Sequence, residues 1–272
     1  MTIRNKILFG FLIISITLIF SGCIDVETNL KVNKDGSGTI EETVLISNEV
    51  VKMLQEFAGT FSDSTEASSF KIFDEEELKQ KAAGYGPGVE YVSGVELEQD
   101  DKQGFRVVYS FKDLNNISLS PDPENQISIG EEVEKTEPDS DQFNFKFIPG
   151  ETPEVIITAK MQESNPGSED MESQDAEISS EDSTFLEMMK GMKINMNVIF
   201  NGEIISTNSS YKEENKITLL GIDFGKIIST PEAFKKLNQK NPENFVEFKE
   251  IVKDIPGIKL EADYPVSVTF KE

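Results

Sequence analysis

One cysteine carries the clearest chemical signal in this sequence. Cys23 is the only cysteine among 272 residues, and it follows Ser21 and Gly22 at the end of an apolar run. Small residues before a cysteine give a signal peptidase access to the preceding bond, and the cysteine sulfur can then carry diacylglycerol through a thioether. The spacing therefore predicts that residues 1–22 are a lipoprotein signal peptide and that Cys23 is the lipidation site.

The residues before Cys23 resemble the precursors of bacterial lipoproteins, which have an apolar run, a small residue, glycine or alanine, and then cysteine. Here Arg4 and Lys6 come first. The apolar run of residues 7–20 is shorter than the roughly 20 residues that a helix needs to cross a bilayer. Phe20 occupies the position where that pattern usually has leucine. An uncleaved signal anchor and an ordinary secretory signal are the two alternatives.

Catalysis is not expected from the remaining residues. The chain contains no histidine, which excludes Ser-His-Asp and Cys-His nucleophiles, imidazole metal sites and the usual general base near neutral pH. Ser68 with Lys71, and Ser209 with Lys212, match a Ser-x-x-Lys pattern. So short a pattern matches by chance, and the Ser-Asp-Asn and Lys-Thr-Gly motifs that would accompany it are missing. We therefore predict a protein that is not an enzyme and that has no cofactor.

A stretch that begins at Asn33 mimics a calcium-binding loop. Asn33, Asp35 and Ser37 have the spacing of calcium ligands, and Gly38 stands at the position of the sharp turn. The twelfth position, however, is Val44, where a calcium loop needs a bidentate glutamate between two helices. The flanking residues alternate like strands instead, so we predict no metal site here.

The chain is strongly acidic, with 50 Asp and Glu against 26 Lys and Arg and a formal net charge of −24. This charge disfavours nucleic acid and anionic lipid surfaces as partners of the bulk surface, and it favours solubility. No basic cluster follows Cys23, so we expect attachment through acyl chains on Cys23, and more than one chain because a single chain holds only marginally. The predicted location is the extracytoplasmic face of the cell membrane.

Short alternating segments separated by turn residues predict β-hairpins along the chain. Examples are residues 25–33 with 39–47, residues 89–97 with 105–111, residues 143–147 with 155–159, and residues 194–200 with 204–205 around Asn201-Gly202. Helices are predicted after Ser47, from Asp74, before Gly191, after Thr230 and after Asn241, the second of them mostly solvated. About eleven strands and five helices predict an α+β fold, mainly an antiparallel sheet with helices packed on it.

Residues 162–182 differ from the rest of the chain because they hold eight acids and no basic residue. Such a segment buries too little apolar surface to order itself. It is either a disordered acidic loop within one domain or a linker between two. We predict the loop, and hence a single α+β ectodomain at residues 23–272, because the elements that follow each have one apolar face and need a partner sheet.

Several of these segments resemble the LppM-like lipoprotein domain. The matching parts are residues 26–32 (Val-Glu-Thr-Asn-Leu-Lys-Val) directly after the lipobox, the turn at residues 34–39, a following helix, and the later strands at residues 202–208 and 217–220. The resemblance implies a membrane-anchored α/β domain in a family of which some members are linked to lipid or glycolipid binding. The acidic segment departs from it, and no ligand residue can be transferred.

Two functions follow as hypotheses. In the first, the ectodomain binds a lipid-like or hydrophobic ligand, and the adaptable side chains of Met188, Met189, Met192 and Met196 border an apolar groove. In the second, the protein is a scaffolding or assembly lipoprotein of the cell envelope that contacts another protein. A continuous apolar cavity would favour the first hypothesis, and a filled core with an exposed apolar patch would favour the second.

Overall fold

The computed structural model describes residues 23–61, 72–121, 141–160, 190–238, 245–261 and 263–272. The strands in these ranges are β1 (Ile24–Val32), β2 (Gly38–Ser47), β3 (Glu90–Gln99), β4 (Lys102–Phe111), β5 (Ser118–Leu119), β6 (Gln142–Ile148), β7 (Glu154–Lys160), β8 (Met192–Phe200), β9 (Glu203–Thr207), β10 (Lys212–Glu213), β11 (Lys216–Asp223), β12 (Ile258–Leu260) and β13 (Val266–Lys271). The α-helices with both ends in these ranges are α1 (Asn48–Phe61), α2 (Glu75–Lys81), α3 (Phe224–Ile228), α4 (Pro231–Asn238) and α5 (Phe245–Val252). Short 3₁₀ helices cover Ala82–Tyr85 and Leu114–Asn116.

The larger sheet, sheet A, has the strand order β10-β11-β8-β1-β2-β4-β3, and β12 also pairs with β11. Its strands are antiparallel except for β1 and β8, which run parallel in the middle of the sheet. The smaller sheet, sheet B, has the order β5-β6-β7-β13-β9 and is antiparallel throughout. The predicted α+β class with mainly antiparallel pairing is therefore confirmed, but the strands form two sheets.

One main core joins the two sheets. Leu30, Tyr109 and Phe200 enter it from sheet A, and Phe143 and Phe270 enter it from sheet B. The rings of Phe200 and Phe270 meet with centroids 4.9 Å apart. All five side chains are fully buried, so the aromatic stripes that strand periodicity predicts fill the space between the sheets.

Both sheets combine strands from before and after the acidic segment. In sheet A, β1 pairs with β8, and in sheet B, β7 pairs with β13. The predicted loop at residues 162–182 and the signal peptide at residues 1–22 lie outside the described residues. No helix within the described ranges is both long and apolar enough to cross a membrane.

The first predicted hairpin is confirmed, with β1 and β2 in register from Ile24–Ile46 to Val32–Gly38. In its turn, the backbone N–H and the hydroxyl of Ser37 both donate to the carboxylate of Asp35, at 3.0 and 2.6 Å. These hydrogen bonds, the hydroxyl's first, hold the pKa of Asp35 below its ordinary value. The Asp35 carboxylate, which has the spacing of a calcium ligand, thus closes the turn.

The predicted hairpin at Asn201-Gly202 is wrong. β8 belongs to sheet A, whereas β9 belongs to sheet B and pairs with β13. The turn carries the chain from one sheet to the other: Asn201 donates its N–H to the carbonyl of Val32, and Gly202 has a φ of 147°. A Cβ at Gly202 would lie 2.1 Å from the Lys271 carbonyl oxygen, so the glycine permits the close approach of β13.

The predicted pairing of residues 89–97 with residues 105–111 is confirmed, but the alternation of residues 89–97 is interrupted by a bulge in β3 between Tyr91 and Ser93. The bulge adds one residue, so the side chains after it switch to the opposite face of the sheet. Tyr91 stays packed on the core beside the Tyr109 ring, but Val95 is 50% exposed. Gly94 lies where a Cβ would meet the Tyr91 hydroxyl at 2.8 Å.

The predicted caps at Ser47 and Asp74 are confirmed, whereas the hydroxyl of Thr230, the residue before α4, donates to the Lys226 carbonyl of α3 at 2.8 Å. The Ser47 hydroxyl accepts the Val50 N–H at the start of α1, and the Asp74 carboxylate accepts the Glu76 and Glu77 N–H groups at the start of α2. Helices α3, α4 and α5 surround a second, smaller apolar cluster that includes Ile227, Ile251, Val252 and Ile255. Ile222 and Leu260, from neighbouring strands of sheet A, contact both clusters.

Helix α2 is not merely solvated, because Lys81 at its end makes a buried ion pair. The Lys81 ammonium donates to the Glu42 carboxylate at 2.8 Å, and both side chains are less than a tenth exposed. Glu42 belongs to β2, so this pair and the hydrogen bond from the Tyr109 hydroxyl to the Leu78 carbonyl tie α2 to sheet A. Burial and the charge of Glu42 raise the pKa of nearby Tyr85 well above its ordinary value.

We expect Lys81→Met to lower the free energy of unfolding by roughly 3–5 kcal/mol, because it leaves the Glu42 carboxylate buried without a counterion. Adding Glu42→Leu should restore most of that loss, since the double variant buries no charge. Urea denaturation followed by circular dichroism measures both. Lys79→Met is the matched control on the same helix, because Lys79 pairs with Glu75 and Glu76 in solvent, and it should leave the midpoint nearly unchanged.

Candidate functional site

The candidate site lies on the face of sheet A that points away from the main core. Successive side chains of a strand alternate between the two faces, so Val26 and Leu30 of β1 enter the core while Glu27 and Asn29 point to the opposite, open face. The parallel pairing places Glu27 beside Asn195 of β8. The open face is therefore polar along its two central strands.

A cleft of about 380 Å³ runs over this face between β1, β8, β11 and β12. Its volume falls within the range of about 300–1,000 Å³ that is typical of small-molecule sites. Polar and charged side chains dominate its lining, among them Lys193, Lys216, Lys226 and Lys259. Glu27, Glu213 and Asp223 are the carboxylates, so lysines outnumber acids here although the chain as a whole is strongly acidic.

A buried hydrogen-bond network lies along three adjacent strands at the floor of the cleft. The Asn197 amide donates to the Asn29 side-chain oxygen at 3.1 Å, and the Thr218 hydroxyl donates to the Asn197 side-chain oxygen at 3.0 Å. All three residues are less than a tenth exposed. The two asparagine oxygens accept, and the Asn197 amide and the Thr218 hydroxyl donate, so the network links the three strands through buried polar groups.

Ion pairs form the walls. On one side Glu213 accepts from Lys259 at 2.9 Å and lies 3.2 Å from the Lys216 ammonium. These contacts, with Lys259 first, lower the pKa of Glu213. On the other side the Asp223 carboxylate accepts the Lys226 N–H at 3.1 Å, which caps α3, and it also lies 3.3 Å from the Lys226 ammonium.

Three polar side chains of the cleft remain available to a ligand. Lys193, Asn195 and Glu27 lie next to one another on β8 and β1, and their side chains make no hydrogen bond or ion pair with the part of the chain that the structure describes. An ammonium, an amide and a carboxylate together can bind phosphate oxygens, hydroxyl groups or both. An acyl chain would gain little here, since it would desolvate these groups without pairing them.

Glu213, a carboxylate of the cleft, is poorly suited to act as a general acid. A general acid at neutral pH needs a carboxyl group with a raised pKa, whereas the pKa of Glu213 is lowered by its lysines. Within the described residues there is also no group of three or more His, Cys, Asp or Glu side chains placed to hold a metal ion.

The residues singled out from the sequence lie elsewhere. Cys23 is half-buried immediately before β1, and its carbonyl accepts the Ser47 N–H at 2.7 Å. Met196 is completely buried in the main core, and Met192 packs against that core from the start of β8. Met188 and Met189 lie outside the described residues. Met196 therefore cannot border an exposed groove, and the ligand-binding role of the other three remains a prediction.

The cleft was not predicted from the sequence, although a signal for it exists. The apolar residues of β8 mark its buried face, and the first three residues of the opposite face, Lys193, Asn195 and Asn197, are polar, before Ile199 ends that row. The same alternation gives Asp25, Glu27 and Asn29 in β1. Their proximity depends on the parallel pairing of two strands far apart in the chain, which no local pattern indicates.

Comparison with known proteins finds no matching family model and no matching curated protein. Among solved structures, the chain is similar to the NMR structure of the folded domain of LppM from Mycobacterium tuberculosis, at 11% sequence identity and a TM-score of 0.31. The match covers 76% of this chain and 87% of that chain. The cleft is therefore interpreted from its own residues.

Replacing Asn197 by alanine should lower the free energy of unfolding by about 1–3 kcal/mol, because it leaves Asn29 and Thr218 buried with unpaired groups. Asn195→Ala is the matched control, on the same face of the same strand but without a partner among the described residues, and should cost less than about 0.5 kcal/mol. Chemical denaturation of the two variants gives the comparison. Equal losses would mean that the network does not stabilise the sheet.

Proposed function

We propose that this protein is a membrane-anchored lipoprotein of the cell envelope, whose non-catalytic ectodomain binds the polar head of a lipid-like ligand in the cleft of sheet A. The observation that carries the ligand is the group of available side chains, Lys193, Asn195 and Glu27, above the paired floor. The anchor rests on the lipobox that ends at Cys23, and strand β1 of the ectodomain begins at the next residue, Ile24.

The filled core limits which part of a lipid-like ligand the ectodomain can hold. Side chains from both sheets occupy the space between them, including the predicted groove residue Met196. A buried acyl chain would have to displace this core at a large cost in packing. The polar cleft needs no such rearrangement, so the sugar or phosphate group of the ligand is the part that binds.

Charge supports the same assignment. The surplus of lysines over acids in the cleft contrasts with the net charge of −24 of the chain. A phosphate-bearing group that approaches the protein is repelled by most of its surface and least by this region. Ion pairs to Glu213 and Asp223 hold three of the four lysines in place, which leaves Lys193 as the cation for the ligand.

A scaffolding role is the second candidate, and the edge strand β3 favours it. Among the strands that the structure describes, β3 pairs with β4 alone, and it exposes Val92 and Val95 by 56% and 50%. An exposed strand edge with apolar side chains can pair with a strand of another envelope protein. Glu90, Glu96 and Glu98 on the same strand would then select a partner with positive charge.

Replacement of Cys23 by serine should release the protein from membranes, because the acyl chains on this residue supply the attachment. Fractionation of cells that produce the variant, followed by a salt wash of the membrane pellet, measures the release. A variant that stays in the washed pellet would contradict the lipoprotein assignment and favour an uncleaved signal anchor.

Ligand binding is tested with the ectodomain from residue 24 onward and neutral vesicles doped with phosphatidylglycerol or with a glycosyl diacylglycerol. We expect saturable co-sedimentation with at least one dopant, and we expect Lys193→Glu to weaken it by roughly tenfold or more, because a charged hydrogen bond becomes a repulsion.

The matched control is Lys34→Glu, which makes the same charge change in the exposed turn at the far end of β1. Equal weakening by both variants would mean nonspecific electrostatics. Absence of binding to every dopant by the folded wild-type ectodomain would leave the scaffolding role as the better account.

A further inference from the structure

Lipidation of Cys23 would fix the orientation of the ectodomain as well as its location. The residue is already part of the fold: its carbonyl accepts the Ser47 N–H at 2.7 Å, and the next residue, Ile24, pairs with Ile46 on one side and Met192 on the other. No flexible segment separates the anchor from the sheet. The remaining freedom is that of one side chain and its thioether.

From this geometry we infer that the end of sheet A at which β1 and β8 begin rests directly on the head groups of the membrane that holds the acyl chains. The inference rests on the proposed lipidation of Cys23. Among the described residues, the elements that meet at this membrane-facing rim are the starts of β1, β8 and α1, the two-residue turn between β3 and β4, and the end of β11.

The strand direction gives the height of each part above the bilayer. β1 has nine residues and leads away from Cys23, so at about 3.3 Å per residue the opposite turn lies roughly 30 Å from the anchor along the strand. Lys34 lies in that turn, and Asn201 lies beside it because its N–H donates to the Val32 carbonyl. Gln99 lies instead at the rim, where it pairs with Lys102. Glu49 also lies there, two residues after Ser47, which pairs with Lys102 from the other side.

The same geometry places the cleft within reach of the head groups. Lys193 pairs with Asp25 and so lies at the same height above the bilayer. Asp25 is two residues from Cys23, a distance of roughly 7 Å along the strand. Asp223 is level with both, at the end of β11. The lower end of the cleft therefore opens beside the bilayer, and its ligand is a lipid of the same membrane.

The rim is divided by charge. On the side of β3 and β4 the turn carries Asp100 and Asp101, both exposed. On the side of β8 and β11 the cleft presents Lys193 beside the ion pair of Lys226 with Asp223. Anionic head groups are repelled by the first side and attracted by the second. The side of the ectodomain that carries Lys193 is therefore favoured to face anionic head groups.

The orientation can be measured because the chain has no second cysteine. Once Cys23 is lipidated, an introduced cysteine is the only free thiol. Full-length protein is purified from membranes with one added change, Glu49→Cys or Gln99→Cys at the rim, or Lys34→Cys or Asn201→Cys at the far end, all at exposed positions. Each is labelled with a fluorophore and reconstituted into vesicles that contain a nickel-chelating lipid as a head-group quencher.

We expect quenching at the two rim positions to exceed quenching at the two far positions by about threefold or more, since they differ by roughly 30 Å in height. Insertion of twelve Gly and Ser residues between Cys23 and Ile24 is the control. It keeps the anchor but adds a tether of about 20 Å, so the difference should largely disappear.

Equal quenching at all four positions without the insertion, or stronger quenching at the far end, would overturn the orientation. Intact mass spectrometry of the same samples tells this failure from a failure of the proposed function. A mass that includes diacylglycerol shows that the anchor is correct and only the orientation is wrong, whereas an unmodified Cys23 would overturn the anchor itself and the orientation with it.

Discussion

Strand β1 is paired on both sides along its whole length, and this pairing is the constraint on which the rest of the structure depends. Each of its nine residues has a partner on β2 and another on β8. Because side chains alternate, one register sends Val26 and Leu30 into the core and Glu27 and Asn29 to the open face. A slip by one residue would exchange the two sets, so core and cleft are determined together.

The buried asparagines help to explain why this register is kept. Asn29 and Asn197 are 168 residues apart in the chain, and their hydrogen bond forms only if β1 and β8 align as observed. Two aliphatic side chains could be buried equally well in several strand registers. A buried amide in the wrong register would instead lose its hydrogen bond, at a cost of about 1–3 kcal/mol. The polar floor thus contributes specificity to a parallel pairing that no local turn directs.

The sequence predicted the features that depend on residues close together in the chain, and it missed those that join distant segments. Hairpin β1–β2 and the caps at Ser47 and Asp74 depend on residues close together in the chain, and these predictions hold. Local patterns do not predict features that join distant segments. These are the second sheet, the parallel β1–β8 pair and the buried Lys81–Glu42 contact. Asn201-Gly202 shows the limit clearly: the dipeptide does turn the chain, but the next strand finds its partner in the other sheet.

An open cleft with three available side chains would bind a dissolved ligand only weakly, because few contacts would offset the loss of translational freedom. The proposed lipidation of Cys23 would change that balance. A domain held at the bilayer meets head groups at an effective concentration of the order of millimolar or above, as in other tethered pairs. A weak site then suffices, provided that it faces the membrane. Lys193 pairs with Asp25, two residues from Cys23, so under the proposed anchoring the cleft would meet this condition. The start of β1, which holds Cys23 against Ser47, would then matter to the proposed function as much as the cleft itself.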